Sequence, residues 1–363
     1  MLYYLLYPLS SHLTFFNIFR YITFRAAMAA MTAFLISIIF GPAVIRLIAK
    51  FNLRENIRPQ SESHRLHELQ HRKQGTPTMG GVLILLSIFV SVLLWADIFN
   101  RYIILVSLAT IWLGVTGFID DYLKHIKKQS KGLAALTKIA SQVLLGLILG
   151  ILIYLHPDSS TRLDIPFFKD IFWDLGIFYI FFVVLVISGS SNAVNLTDGL
   201  DGLAAGIVVM VALAFTVLSY VTGNIKLSSY LLVPYISGSG ELAVFCSSLI
   251  GAGLGFLWFN AYPASIFMGD VGSLALGGAI GTVAILIKKE LLLLVVGGIF
   301  VLEALSVILQ VFSFKLTKKR IFKIAPLHHH FQFLDWPENK VIVRFWIIAG
   351  LLALLTLVTL KIR

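Results

Sequence analysis

Cysteine is almost missing from this chain: among 363 residues there is one, Cys246. A lone thiol forms no intramolecular disulfide and supplies no cysteine metal cluster. It lies in an apolar stretch, where it reads as a small core residue. Charge is scarce as well. Asp, Glu, Lys and Arg make up 13% of the residues, where a soluble domain carries roughly 25%. The shortage is deeper for acids, 18 against 29 basic residues, which leaves a net charge of +11. No Walker-type glycine-rich loop is present, which argues against ATP as a phosphoryl donor. There is no soluble domain, no disordered linker and no internal repeat of the kind on which many transporters are built. Met1 to Arg20 has neither a basic start nor a small-residue cleavage site, so it does not read as a signal peptide. Its Tyr3, Tyr4, Tyr7, Phe15, Phe16 and Phe19 alternate with polar residues, as in an interfacial segment.

What the chain has instead is apolar length. Hydrophobic residues account for 58%, and the mean hydropathy is +0.90. That balance predicts an all-α integral membrane protein, a single polytopic domain over residues 1–363. A span needs about 20 mainly apolar residues. Ten runs qualify, near 22–48, 79–96, 102–119, 139–155, 176–191, 203–221, 242–259, 272–287, 291–312 and 341–360; the fifth and eighth are short. None alternates with period two, which excludes a β-barrel. Lys and Arg set the orientation. One set of loops holds six of them between 50 and 73, five between 124 and 138 and six between 315 and 340; the opposite segments hold nine in all. The bias places both termini on the periplasmic side. It puts 50–78, 120–138, 192–202, 260–271 and 313–340 in the cytoplasm. The basic balance is thus explained by topology first, with an anionic substrate as a second contributor, and no nucleic-acid partner is expected.

Four polar islands fall on that cytoplasmic side, where carboxylates and imidazoles at a membrane boundary are costly and tend to be functional. Asp120-Asp121 closes the third run. Adjacent helical residues point about 100° apart, so the two carboxylates take different roles, one facing a cleft and one held by a neighbour or metal. The bland alternative is a pair of solvated helix-end carboxylates. Asn192, Asn195, Asp198 and Asp201 recur every third residue, and the first three can share a helical face. Gly199 and Gly202 then break the helix. A polar turn explains two or three such residues, and this island has six. Asp270 begins a helix, where it either caps exposed amides or ligates Mg²⁺, which prefers one or two carboxylates plus phosphate and water. Phe267 beside it either stacks on a base or packs on its neighbours. His328, His329 and His330 suggest zinc at first sight. Consecutive residues rarely supply three ligands to one ion, so phosphate contact is favoured over zinc, with a solvated loop as the alternative. Lys124 stands at i, i+4 from Asp120, able to reach the same cleft or to pair with that carboxylate. His64, His67 and His71 read as a solvated helical face. Together the islands describe Mg²⁺-assisted phosphoryl transfer at a membrane surface, involving a lipid.

Five segments carry a resemblance. They are Gly75-Thr76-Pro77-Thr78-Met79-Gly80-Gly81, Phe118-Ile119-Asp120-Asp121-Tyr122, the stretch from Asn192 to Gly202, Phe267-Met268-Gly269-Asp270-Val271-Gly272-Ser273, and Ala325-Pro326-Leu327-His328-His329-His330. In this order they resemble the phospho-N-acetylmuramoyl-pentapeptide transferases of the polyprenyl-phosphate N-acetylhexosamine 1-phosphate transferase superfamily. The resemblance covers nearly the whole chain, and the histidine triplet favours the muramoyl-pentapeptide branch.

The resemblance implies a ten-helix bundle in the bacterial cytoplasmic (inner) membrane, with a cleft open to the cytoplasm and a groove for lipid. It implies transfer of phospho-MurNAc-pentapeptide from its UDP carrier to undecaprenyl phosphate, giving lipid I and UMP, the first membrane step of peptidoglycan synthesis. Asp270 matches the family's Mg²⁺ ligand. Asp120 matches the carboxylate assigned either as base toward the lipid phosphate or as nucleophile, and Asp121 its essential neighbour. Asn195, Asp198 and Phe267 match nucleoside-side positions, and Lys124, Lys138 and Asp201 further cleft positions. His328 and His329 match the histidine loop. Lys73, Thr78, Asn192 and His330 complete the substrate-binding set, although Ser61 to Gln74 is longer than the family pattern around Lys73. A homodimer is implied by the family alone. The rival enzyme is a UDP-GlcNAc:polyprenyl-phosphate transferase. A transporter or lipid flippase is the rival of another class, and it would line the membrane midplane with charge instead of one surface.

Overall fold

The computed structural model describes residues 1–51, 75–125, 127, 132–157, 160–166, 168 and 171–361. His64, His67, His71 and Lys73 lie outside the described residues. Helices appear at each of the ten apolar runs. They are α2 (Ile22–Lys50), α3 (Gly81–Trp95), α4 (Arg101–His125), α5 (Ala135–Tyr154), α6 (Phe178–Thr197), α7 (Leu203–Thr222), α9 (Glu241–Asn260), α10 (Gly269–Leu286), the pair α11 (Glu290–Val296) and α12 (Gly298–Thr317), and α14 (Glu338–Val358). Nine of them are long and apolar enough to cross a membrane, and α3 is a shorter apolar helix. Short helices α1 (Leu2–Leu6), α8 (Ile225–Leu231) and α13 (Leu327–Gln332) decorate the ends. The protein is an all-α, multi-pass membrane protein.

The helix α10 is the axis of the bundle. Every residue from Val271 to Leu286 is buried, because this helix is apolar all round and packs on α4 and α6. A second tight pair is α2 with α9, where small residues meet: a Cβ on Gly251 would run into the Ala30 backbone, and one on Gly255 into Ser37. Small residues let helix backbones close up where lipid gives no hydrophobic drive toward association. By contrast, Ile39, Phe40, Ile308, Phe312, Ile347 and Leu351 are exposed, as on a surface that faces hydrocarbon.

Three features depart from the plain succession of spans. The run near 291–312 is interrupted at Gly297, where α11 stops and α12 begins and continues to Thr317. A Cβ on Gly298 would meet Leu352 at 2.9 Å, so α12 starts where it leans on α14. A two-stranded antiparallel hairpin, β1 (Arg162–Asp164) and β2 (Phe172–Asp174), sits between α5 and α6. Lys289 ties it down through Asp164 at 2.8 Å. Finally, the segment before α3 lies along the segment before α10. Phe267 N–H donates to Pro77 at 2.8 Å, and Gly80 N–H donates to Phe267 at 2.8 Å. Irregular backbone inside a bundle persists where its polar groups find partners in this way.

Candidate active site

The site stands at one end of the bundle, where α4 and α10 meet. Gly117 makes the approach possible: a Cβ there would come 2.2 Å from the Asp270 carbonyl oxygen. One turn further along α4, Asp120 and Asp121 therefore arrive beside the first turn of α10. Gly269, at φ +73, lets the chain turn into α10, and a side chain there would meet Asp121 Oδ2 at 2.5 Å. Asp120 and Asp121 are 1% and 3% exposed. With Asp270 they form a group in which one carboxylate oxygen from each residue lies within 4.8 Å of the other two, a set that could hold a metal ion.

Two lysines share this group. Lys124 pairs with Asp120 and reaches Asp270 Oδ2 at 2.8 Å. Lys138, from the first turn of α5, stands 3.1 Å from Asp120 Oδ2 and 2.7 Å from Asp270 Oδ2. Both of the open readings of Lys124 therefore hold, since it pairs with Asp120 and faces the same cleft. Leu133 N–H, just before α5, donates to Asp120 Oδ1 at 2.7 Å. Asn195 Nδ2 donates to Asp270 Oδ1 at 2.6 Å and to Ser273 Oγ at 2.8 Å. Asp270 thus spends its oxygens on lysines and an asparagine; its side chain caps no helix. Asp121 turns the other way and accepts Val271 N–H at 3.2 Å, which fits two different roles for the adjacent aspartates.

The remaining candidates fall around this cluster. Thr78 is buried behind Gly269, and Phe267 is half-buried on the strand-like pairing with Pro77 and Gly80. Asn192 points to the interior, exchanging hydrogen bonds with Gln142 and donating to the Ser188 carbonyl at 2.8 Å. Asp198 follows the last residue of α6. Asp201 accepts Ala264 N–H at 3.0 Å, and its own N–H donates to Glu338 at 3.1 Å, so it ties its own turn to the segment before α10 and to the start of α14. His328 is buried against Gly199, where a Cβ would meet its Nε2 at 2.3 Å. His329 Nδ1 lies 2.9 Å from Gln332 Oε1, and His330 Nδ1 accepts Lys323 N–H at 3.1 Å. The three imidazoles point to separate partners and do not converge on one point, which speaks against a shared zinc ion.

Glu303 was missed in the sequence. It accepts His328 N–H at 3.1 Å, and its other oxygen stands 3.1 Å from His328 Nδ1, an electrostatic contact and not an aligned hydrogen bond. Its signal was a lone carboxylate inside an apolar run, which hydropathy averages away. Asn260 was also missed. It accepts Gly202 N–H at 2.9 Å and donates to the Ile266 carbonyl at 2.7 Å, stitching the second island to the third.

Residues 103–288 match the model of glycosyl transferase family 4, and residues 73–85 match signature 1 of the phospho-N-acetylmuramoyl-pentapeptide-transferases. That signature begins at Lys73 and runs through Thr78. Curated relatives from Desulforapulum autotrophicum and Desulfosudis oleivorans are 54% and 55% identical to the chain, each over the full length of both proteins. A third, from Citrifermentans bemidjiense, is 54% identical over the same full coverage. All three bear the name phospho-N-acetylmuramoyl-pentapeptide-transferase. With identity at this level along its whole length, the chain belongs to the phospho-N-acetylmuramoyl-pentapeptide-transferase family.

Proposed function

We propose that the protein transfers phospho-MurNAc-pentapeptide from UDP-MurNAc-pentapeptide to undecaprenyl phosphate, forming lipid I and UMP. The observation that carries this reading is the convergence of Asp120, Asp121 and Asp270 with Lys124 and Lys138 at one end of the bundle. In this reading that end faces the cytoplasm of the bacterial inner membrane, both termini face the periplasm, and the protein works as a homodimer.

The reaction exchanges one P–O bond for another. An oxygen of the lipid phosphate bonds to the sugar-linked phosphorus, and the bond from that phosphorus to the uridine-linked phosphate breaks. Asp120 takes the proton of the lipid phosphate. Lys124 and Lys138 neutralise the pyrophosphate and the charge that grows on departing UMP. Asn195, Asp198 and Phe267 hold the nucleoside. Thr78 and Asp201 fix the backbone around it, and His328, His329 and His330 border the phosphates.

The carboxylate group fits Mg²⁺. It offers only hard oxygen donors, and three carboxylates against two ammonium groups leave a formal deficit of one positive charge. Asp270 is the ligand in this assignment, with Asp121 oriented beside it. When bound, Mg²⁺ supplies charge neutralisation to the pyrophosphate.

The test is UMP release by purified protein in detergent with undecaprenyl phosphate and Mg²⁺, with UDP-MurNAc-pentapeptide and UDP-GlcNAc as separate donors. Release with the pentapeptide donor alone is expected. Release with UDP-GlcNAc alone moves the chain to the sister chemistry, and silence with both, in folded protein, overturns the transferase reading.

A further inference from the structure

The helices that carry the acidic cluster carry a second site at their other ends. Arg101 opens α4, Ile153 nearly closes α5, and Leu286 ends α10; all three line a cavity of about 690 Å³. Along α4, Arg101 and Asp120 are separated by about 28 Å at 1.5 Å per residue, close to the thickness of a bilayer core. The cavity therefore opens at the membrane face opposite the cluster, under the β1–β2 hairpin and the segment from Leu232 to Ile236.

Its lining has two parts. Ile104, Leu105, Leu152 and Ile285 form an apolar wall that continues down the spans. At the rim stand Arg101, Arg162 and Lys288. Each of these cations rests on an aromatic ring: Arg101 on Tyr102, Arg162 on Phe172, and Lys288 on Tyr179 at 4.0 Å. Among the described residues none of the three has a carboxylate within ion-pairing distance. The acid of the lining, Asp164, is bonded to Lys289. Lys288 also donates to Tyr179 Oη at 2.7 Å, and Tyr179 in turn bonds Glu290. Burial pulls the Lys288 ammonium down to about 8, against the opposing pull of Glu290 and Asp164. Asp174 stands across the hairpin from Arg162 and Glu290 lies near Lys288, so among the described residues four cations, Lys289 included, face three carboxylates, and the rim keeps a positive excess of one at the level where lipid headgroups lie.

We propose that this cavity binds a lipid-borne phosphate, with the phosphate at Arg101, Arg162 and Lys288 and the hydrocarbon chain along Ile104, Leu105 and Ile285. Free phosphate shares the headgroup chemistry but leaves the apolar wall empty. The site stands apart from the transfer reaction, and its argument does not depend on that reaction.

The experiment is native mass spectrometry of the full chain in detergent, titrated with phosphatidylglycerol, phosphatidylcholine, undecaprenyl phosphate and inorganic phosphate in separate arms. Phosphatidylglycerol carries a net negative headgroup and is not the acceptor of the proposed transfer, which keeps the acidic-cluster site out of its arm. Retention of phosphatidylglycerol at least about tenfold above phosphatidylcholine is expected, with that preference lost in Arg101→Gln/Arg162→Gln and restored by Arg162→Lys in the Arg101→Gln background. Stronger retention of undecaprenyl phosphate, reduced by the same pair of substitutions, assigns a prenyl chain instead of an acyl chain to the wall. Arg162 is exposed on β1, so Arg162→Gln alone serves as the variant least able to disturb folding. Equal retention of both phospholipids, indifference to the arginine substitutions, or displacement of lipid by an equal concentration of inorganic phosphate overturns the proposal.

Discussion

His328 packs against Gly199, with its Nε2 2.3 Å from the point that a Cβ of residue 199 would occupy. The other edge of the ring faces Glu303, so the imidazole is held between the second island and α12. Gly199→Ala must push His328 away, since 2.3 Å is far inside van der Waals contact. Misplacement by about 1 Å in an active site costs up to about 10²-fold in rate. A fall of that order in UMP release is expected, with an unchanged size-exclusion profile. Glu303→Gln keeps a side-chain oxygen to accept the His328 backbone N–H and removes the charge, so a smaller loss is expected. Wild-type turnover in Gly199→Ala would show that the position of His328 is immaterial.

Asp270 is the residue on which the metal assignment stands. Asp270→Asn keeps the shape and the contact with Asn195 while removing the charge. Turnover should vanish, and Mn²⁺ binding followed by electron paramagnetic resonance should weaken at least about tenfold, as charge is lost from a hard-oxygen site. Asp120→Asn should lose nearly as much turnover but retain more of the Mn²⁺ binding. Full activity of Asp270→Asn at low Mg²⁺ would sink the assignment.

Lys138 touches both Asp120 and Asp270, so its removal separates two effects. Lys138→Met leaves three carboxylates against one ammonium group. A divalent cation should then bind the resting protein more tightly, because more negative charge goes uncompensated. Turnover should nevertheless fall, because the same ammonium no longer faces the pyrophosphate. Cation titration and UMP release read the two separately. Weaker cation binding in this variant would mean that Lys138 acts by positioning the carboxylates and not by balancing their charge.

Much of this architecture was legible in the sequence because a bilayer asks for little besides apolar length. Each run from 22–48 to 341–360 has its helix, and sidedness alone was enough to gather Asp120, Asp198, Asp270 and His328 on one face. What escaped were features set by distant partners. Gly297 interrupts a run whose hydropathy never drops. The β1–β2 hairpin is three residues per strand, too short for a periodic signal. Glu303 hides in an apolar average until α13 brings His328 to it. Lys124 and Lys138 were both placed in the cleft, yet nothing in their spacing says that they grip the same two carboxylates.

Arg25 shows the same limit and gives the last test. In the sequence it is one more charge near a helix end. In the fold it is 4% exposed and paired twice with Glu241, at 2.5 and 2.8 Å, across a separation of 216 residues. Glu241 also accepts Asp97 N–H at 2.9 Å, and Arg25 donates to the Trp95 carbonyl at 3.2 Å. This pair therefore fastens α2 to α9 and both to the end of α3. Removing one partner of a buried pair strands the other charge and costs about 3–5 kcal/mol, whereas replacing both with apolar groups costs far less. Glu241→Gln should lower the apparent melting temperature in detergent sharply, and Arg25→Met should do the same. The double variant Arg25→Met/Glu241→Leu should melt above either single one. If the double variant instead loses the sum of the two single effects, Arg25 and Glu241 stabilise the fold through their separate neighbours and not through each other.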